Sequence, residues 1–317
     1  MIAELFVPLA TAPGAFCLSD DAAIVMPPPG HDLVVTADTL VEGVHFFASD
    51  PPDLIAQKAL RVNLSDLAAK GCVPAGYLLA LSLPSQIEMP WLRAFASGLA
   101  TTQRDFGISL LGGDTTATPG PPSITVTAFG QVPAGAMLRR SGAHAGDVVL
   151  VSGTIGDAGG GLACLRGEGV GLSDVDREFL VHRFRRPEPR LALGQALIGL
   201  ASASIDISDG LLADLRHLAD TSSARIEIDA ARVPLSPALA ALWPDETDRI
   251  IRAATAGDDY EIAFTAPREK YAAVMGAAGR AGIPIAQIGV VKRGKGVTLR
   301  DSTGRPIPVS HPGYVHF

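Results

Sequence analysis

Apolar and polar positions repeat with two periods along this chain, and the switches between them set out its elements. Branched apolar residues at 33–37 lead directly into Asp38, and 77–83 and 124–132 have the same strand character. Helical spacing covers 53–71 and 89–106, the second stopped by Gly107. After a turn at 141–146 the pattern predicts strands over 147–151, 203–207, 225–228, 261–265 and 285–291, with a helix over 210–220. The order is mixed. Hairpin-like neighbours argue against a doubly wound parallel sheet, so the expected class is α/β of the α+β type, with mixed or antiparallel sheets flanked by helices. A break between Arg139 and Asp147 divides the chain into domains 1–140 and 141–317.

The same pattern leaves carboxylates in unusual places. In the 53–71 helix, Ile55, Ala59 and Val62 recur at i, i+4 and i+7, and Asp66 falls next on that stripe. A carboxylate there needs a partner, because burying an unpaired charge is very costly. Further on, Ile205 and Ile207 alternate with Asp206 and Ser208, and then Leu211, Leu212, Leu215, Leu218 and Ala219 share one helical face. Asp206, Ser208 and Asp209 are thus expected at a strand end and a helix N-terminus, where backbone N–H groups favour anions. Ser208 suits a plain N-cap as well, and the two roles are compatible.

Seven aspartates stand in short motifs expected at strand ends and turns: Asp20 and Asp21 in S-D-D-A-A, Asp38 in T-A-D-T-L, Asp66 in N-L-S-D-L-A, Asp114 in L-G-G-D-T-T, and Asp206 and Asp209 in S-I-D-I-S-D-G. Any one of them is explained by turn and cap chemistry. Together they suggest a cage for divalent cations. Two unit charges about 4 Å apart repel by ~4 kcal/mol at an effective dielectric of 20. Mg²⁺ relieves that repulsion, prefers hard oxygen ligands and is usually completed by substrate phosphates.

Composition narrows the partners. The chain has 317 residues, 47% hydrophobic and 19% charged, with a net charge of −7. That length allows one large or two ordinary domains. The negative charge makes nucleic acid and anionic membranes poor partners, and admits an anionic substrate only with local cations. Cys17, Cys72 and Cys164 show no C-x-x-C spacing, so neither a disulfide framework nor a zinc site is indicated. The start carries Glu4 and no basic region, and uncharged stretches such as 71–87 are broken by Pro74 and Pro84. Neither signal peptide nor membrane span is expected, which places the chain in the cytoplasm. No G-x-x-x-x-G-K-[ST] motif and no kinase H-R-D/D-F-G set is present. The glycine-rich run 153–161 could approach phosphates through its backbone, although such runs are more often simple turns.

Read in order, the motifs resemble the thiamine-monophosphate kinases, within the aminoimidazole-ribonucleotide-synthetase-like superfamily. S-D-D-A-A, T-A-D-T-L-V-E-G-V-H-F, K-A-L-R-V-N-L-S-D-L-A-A, L-L-G-G-D-T-T, R-S-G-A-H-A-G-D, S-I-D-I-S-D-G-L, G-D-D-Y-E-I and the closing G-Y-V-H-F span nearly the whole chain. The resemblance implies a two-domain fold of that superfamily and direct, in-line transfer of the ATP γ-phosphoryl group to thiamine monophosphate. It also implies a homodimer paired through N-terminal halves, with the site near that interface. The first domain would bind metal and ATP, and the second would complete the site.

By motif, Asp21, Thr36, Asp38, Asp66, Asp114, Asp206 and Asp209 would hold several Mg²⁺ ions. Asp38, Asp66 and Asp114 would act through metal, with no covalent nucleophile. Gly113, Asp114, Arg140 and Ser208 would meet ATP, and His45, Asp258 and Tyr314 the thiamine moiety. By itself His45 reads as a packed core histidine, and Tyr314 could equally be packing; its ring also suits stacking on a cationic thiazolium. Two positions depart from the family: Ala37 stands where a hydroxyl residue is usual, and Asp258 where Glu is usual. An ATP-dependent cyclo-ligase of the same superfamily and a non-catalytic nucleotide or metal sensor are the alternatives.

Overall fold

The computed structural model describes residues 1–314. Internal contacts divide the chain into two units, Met1–Leu67 with Cys72–Gly135, and Ala68–Gly71 with Ala136–Phe317. The first unit carries α1 (Ile2–Leu5), β1 (His31–Val41), α2 (Pro52–Ala69), β2 (Val73–Leu83), α3 (Met89–Phe106), β3 (Leu110–Ala117) and β4 (Ser123–Pro133). Its sheet runs β1-β4-β2-β3 and is antiparallel except between β2 and β3.

Alternation decides which face of that sheet is covered. Ile124, Val126, Ala128 and Val132 are fully buried, while Thr125, Thr127 and Phe129 between them are half-buried. The covered face meets the end of α2: a Cβ on Gly130 would lie 2.9 Å from Leu67 Cδ2 and 2.8 Å from Cys72 Cβ. α3 approaches α2 as closely, since a Cβ on Gly98 would stand 2.1 Å from the Asp53 carbonyl oxygen. The helix stops where the sequence predicts: Gly107 takes φ 66° and its N–H bonds Gln103 O, a left-handed cap that favours glycine.

The second unit carries β5 (Val148–Ser152), α4 (Asp157–Leu165), α5 (Asp174–Arg185), α6 (Leu191–Ala196), β6 (Ala203–Asp206), α7 (Leu211–Thr221), β7 (Arg225–Asp229), α8 (Pro237–Leu242), α9 (Glu246–Thr255), β8 (Ile262–Ala266), α10 (Tyr271–Ala281), β9 (Ile285–Lys292) and β10 (Gly296–Arg300). Six strands form one sheet in the order β10-β7-β9-β5-β8-β6, antiparallel except for β10 with β7. Val149, Val151, Ile205, Ile226 and Ile288 from the strands pack with Leu211, Leu215 and Leu218 of α7 in one core. Mixed sheets with flanking helices are what the sequence predicts.

Two aspartates expected at strand ends sit elsewhere, and Asp66 keeps the helical stripe predicted for it. Asp38 and Asp114 lie inside β1 and β3, and Asp66 lies inside α2. Both strands are edges of the first sheet. Asp114 is exposed and Asp38 half-buried, so neither carboxylate is forced into the core.

Candidate functional site

In the first unit the covering element at the β1 edge is α2. The outward Asp38 N–H donates to Asn63 Oδ1 at 3.1 Å, and the fully buried Asn63 donates in turn to Ala59 O at 3.0 Å. Two residues back, the Thr36 hydroxyl donates to Asp66 Oδ2. The partner that the α2 stripe demanded is therefore supplied by β1, and Thr36, Asp38 and Asp66 come together. All their donors are hard oxygens, the set that Mg²⁺ takes in preference to softer metals.

Asp114 is not part of this group. It lies on the opposite edge strand, three strand spacings of about 4.8 Å away, or roughly 14 Å. The preceding Gly113 is dictated by space, because a Cβ there would stand 1.8 Å from Leu79 O. A cavity of about 150 Å³ opens beside the pair, walled by Leu79, Leu81 and Leu110 and by Ile2 and Phe6 near the N-terminus. Asp20 and Asp21 are exposed, and the Asp21 N–H donates to Asp20 Oδ1 at 2.8 Å. Among the described residues no three His, Cys, Asp or Glu side chains are grouped to hold a metal ion.

His45 is half-buried and oriented. The Val41 N–H donates to its Nδ1 at 3.0 Å, which leaves the ring proton on Nε2. Its carbonyl accepts from Lys58 Nζ at 2.9 Å, and that lysine is only 2% exposed. Lys58 was not legible as a site residue; its place on the buried side of α2 is the one signal that it needs an acceptor.

In the second unit β6 ends at Asp206, which is 4% exposed, and α7 begins at Leu211. Gly210, not Ser208, is the N-cap of α7. The reason is Asp214, one turn into the helix. Its Oδ2 accepts the N–H groups of Ser208, Asp209 and Gly210 at 3.0, 3.0 and 3.1 Å. Burial pushes the Asp214 carboxyl up to about 7, and the neighbouring Asp209 charge adds to burial while the three amides oppose it. The carbonyls of the same loop point the other way. Ile207 O accepts from the Tyr260 N–H and Ser208 O from the Asp258 N–H, both at 2.8 Å, and Asp209 O accepts from the Tyr314 N–H at 2.9 Å. Ser208, Asp209, Asp258 and Tyr314 are therefore brought together, Asp258 with φ 70° and Tyr314 half-exposed at 51%. Arg140 is exposed, and its carbonyl accepts from the Ser222 hydroxyl at 3.2 Å. Residues 315–317 of the closing motif lie outside the described residues.

The glycine-rich run 153–161 is not a phosphate cradle. Asp259, 1% exposed, already occupies the N-terminus of α4, accepting from Gly156 N at 2.6 Å and Ala158 N at 3.3 Å. The glycines serve packing instead. A Cβ on Gly159 would meet Ala256 Cβ at 2.3 Å, and one on Gly161 would meet Leu180 O at 2.1 Å. Beside this helix Glu261, fully buried, accepts from Arg183 at 2.8 Å, Arg190 at 2.5 and 2.7 Å, and the Ser152 hydroxyl at 2.6 Å.

A two-unit chain with oxygen-rich motifs on a mixed four-stranded sheet and on a clamped strand-to-helix loop defines a class. The family described as AIR synthase related protein, N-terminal domain, matches residues 19–132, and its C-terminal counterpart matches 144–302. The thiamine-monophosphate kinase of Caulobacter vibrioides is 43% identical over 320 residues, covering 99% of this chain and 89% of that protein. The crystal structure of thiamine-monophosphate kinase from Stenotrophomonas maltophilia superposes with a TM-score of 0.83 at 42% identity, covering 92% of this chain and 91% of that one. AaThiL complexed with AMPPCP and TMP gives 0.80 at 32% identity, with 94% and 91% covered. The chain belongs to the AIR synthase related proteins and, within them, to the thiamine-monophosphate kinases.

Proposed function

We propose that the chain transfers the γ-phosphoryl group of ATP to thiamine monophosphate, giving thiamine diphosphate and ADP. The observation that carries this is the 207–210 loop. Every backbone N–H and C=O from Ile207 N to Gly210 N is bonded within the second unit. The loop is therefore rigid, and it offers a ligand its Ser208 and Asp209 side chains rather than its amides. Ser208, Gly113 and Arg140 would meet ATP; Asp258, Tyr314 and His45 would meet the thiamine moiety.

The oxygen donors fit Mg²⁺. Several ions would be held: in the first unit Thr36, Asp38 and Asp66 would serve one, with Asp114 and Asp21 serving others, and in the second unit Asp206 and Asp209 would take part. When bound, Mg²⁺ would supply neutralisation of phosphate charge. The chain's own part is positioning, which provides most of phosphoryl-transfer catalysis. Ala37, in the place of a hydroxyl residue, contributes no side-chain donor beside Thr36. We further propose a homodimer through the open face of the first sheet, where Val35 is 54% and Leu33 37% exposed on β1; a monomer by light scattering would reject it.

The test is direct. Purified protein with ATP, Mg²⁺ and thiamine monophosphate should form thiamine diphosphate, and free thiamine should not be phosphorylated. Asp38→Asn and Asp114→Asn should each lower turnover by about 10²–10³, the usual loss of one charge-stabilising group. Turnover of a cyclo-ligase substrate alone, or ATP binding without any phosphoryl acceptor, would overturn the assignment.

A further inference from the structure

One carboxylate oxygen holds the segment on which the proposed nucleotide and thiamine contacts both depend. We propose that Asp214 is a positioning residue, whose Oδ2 gathers three consecutive amides and so fixes the 207–210 loop as a common mount for both sides of the reaction. It rests on the phosphotransferase assignment above, and it names a residue that no motif assigned.

Three features carry it. First, Asp214 is 2% exposed and its bonds to Ser208, Asp209 and Gly210 lie within 3.0–3.1 Å, so removing the oxygen would leave three clustered donors, two half-buried and one buried, without that acceptor. Second, the loop's carbonyls bond the Asp258 and Tyr314 amides, so a shift of the loop moves both segments. Third, each of those segments reaches the loop through a glycine that nothing larger could replace. A Cβ on Gly257 would stand 2.6 Å from Ser208 O, and one on Gly313 would stand 2.5 Å from Asp209 O. The amide side and the carbonyl side of one short loop are thus locked to different elements of the same unit, with Asp214 closing the amide side.

Two substitutions separate acceptance from charge. Asp214→Asn keeps a carbonyl oxygen that can take the same three bonds; Asp214→Leu keeps the branched heavy-atom skeleton and removes the acceptor. Asp214→Leu should lose about 10–100-fold in kcat, as outer-shell partners of metal ligands usually do. It should also raise KM for both substrates and the Mg²⁺ concentration needed. Its 208–210 amides should exchange hydrogen faster while the β5 and β8 amides stay protected. Asp214→Asn should restore kcat, both KM values and the slow exchange. A folded Asp214→Leu protein with wild-type kcat and slow 208–210 exchange overturns the proposal, and so does a folded Asp214→Asn protein that is inactive. Should Asp214→Leu not fold, wild-type and Asp214→Asn exchange decide it: 208–210 amides that exchange faster than those of β6 overturn it. A wild-type protein making no thiamine diphosphate would defeat the function proposed above, while exchange would still decide the clamp.

Discussion

Asp259 and Glu261 stand two residues apart and are pushed in opposite directions. Burial raises the Asp259 carboxyl well above its ordinary value, and the Gly156 and Ala158 amides and the Arg183 charge only partly oppose it. Burial would also raise Glu261, but Arg190 and Arg183 outweigh it and hold the carboxyl below its ordinary value. The signs follow from which state binds the proton. For Asp259 the folded state holds it more tightly, so its contribution to stability is full below the unfolded pKa of about 3.9 and declines as pH rises toward the folded value. For Glu261 the contribution is present above about 4.3 and is lost as pH falls through the lowered folded value. Asp259→Asn keeps a good helix cap but removes the titration. Its melting temperature should therefore fall less than that of wild type between mildly acidic and neutral pH. Identical slopes for the two proteins would show that Asp259 does not titrate in the folded state. Glu261→Gln should destabilise by about 3 kcal/mol, since two half-buried guanidinium groups lose their buried counter-charge.

At the scale of elements, glycine marks where the pattern could be read and where it could not. α2 and α3 were legible because their apolar stripes run for many turns, and β4 because its alternation is uninterrupted. α4 was hidden: Gly156, Gly159, Gly160 and Gly161 read as a turn, yet the helix forms because those glycines let α5 and α9 approach it closely. β3 was hidden likewise behind L-L-G-G-D-T-T, where Gly113 must clear the Leu79 carbonyl. In the candidate site the strand-to-helix junction around Ser208 and Asp209 was legible, and the pairing of Thr36 with Asp66, distant in sequence, was not. Asp214 could have been found. It lies three residues after Leu211 and four before Leu218, on the apolar face of α7, the same signal that singled out Asp66. Glycines in two helices give a matched prediction. Gly161→Ala should destabilise by about 1–3 kcal/mol by overpacking α4 against α5. Gly279→Ala in α10, where nothing lies within 4 Å, should stabilise by roughly 0.5–1 kcal/mol. Equal effects in thermal or urea unfolding would refute the packing role assigned to the α4 glycines.

For the whole molecule the problem is charge. A chain of net charge −7 has to bring two phosphate-bearing substrates into contact, where unit charges about 4 Å apart repel by ~4 kcal/mol at an effective dielectric of 20. The residues proposed to relieve this are carboxylates, and a carboxylate committed to a cation is a poor nucleophile toward phosphorus. Of the other groups described, Thr36 is committed to Asp66, and His45 accepts at Nδ1 from the chain itself. The terminal phosphate of thiamine monophosphate should therefore attack the γ-phosphorus directly, in one displacement with inversion of configuration. Both substrates must then be bound at once, so initial-rate lines should intersect. Activity should also rise with free Mg²⁺ beyond what forming MgATP requires, because the chain's own oxygen donors have to be filled as well. Chiral γ-thiophosphoryl transfer and a two-substrate rate matrix measure both points. Retention of configuration, or parallel lines accompanied by a labelled aspartyl-phosphate, would replace direct transfer with a covalent route and make one of these aspartates its nucleophile.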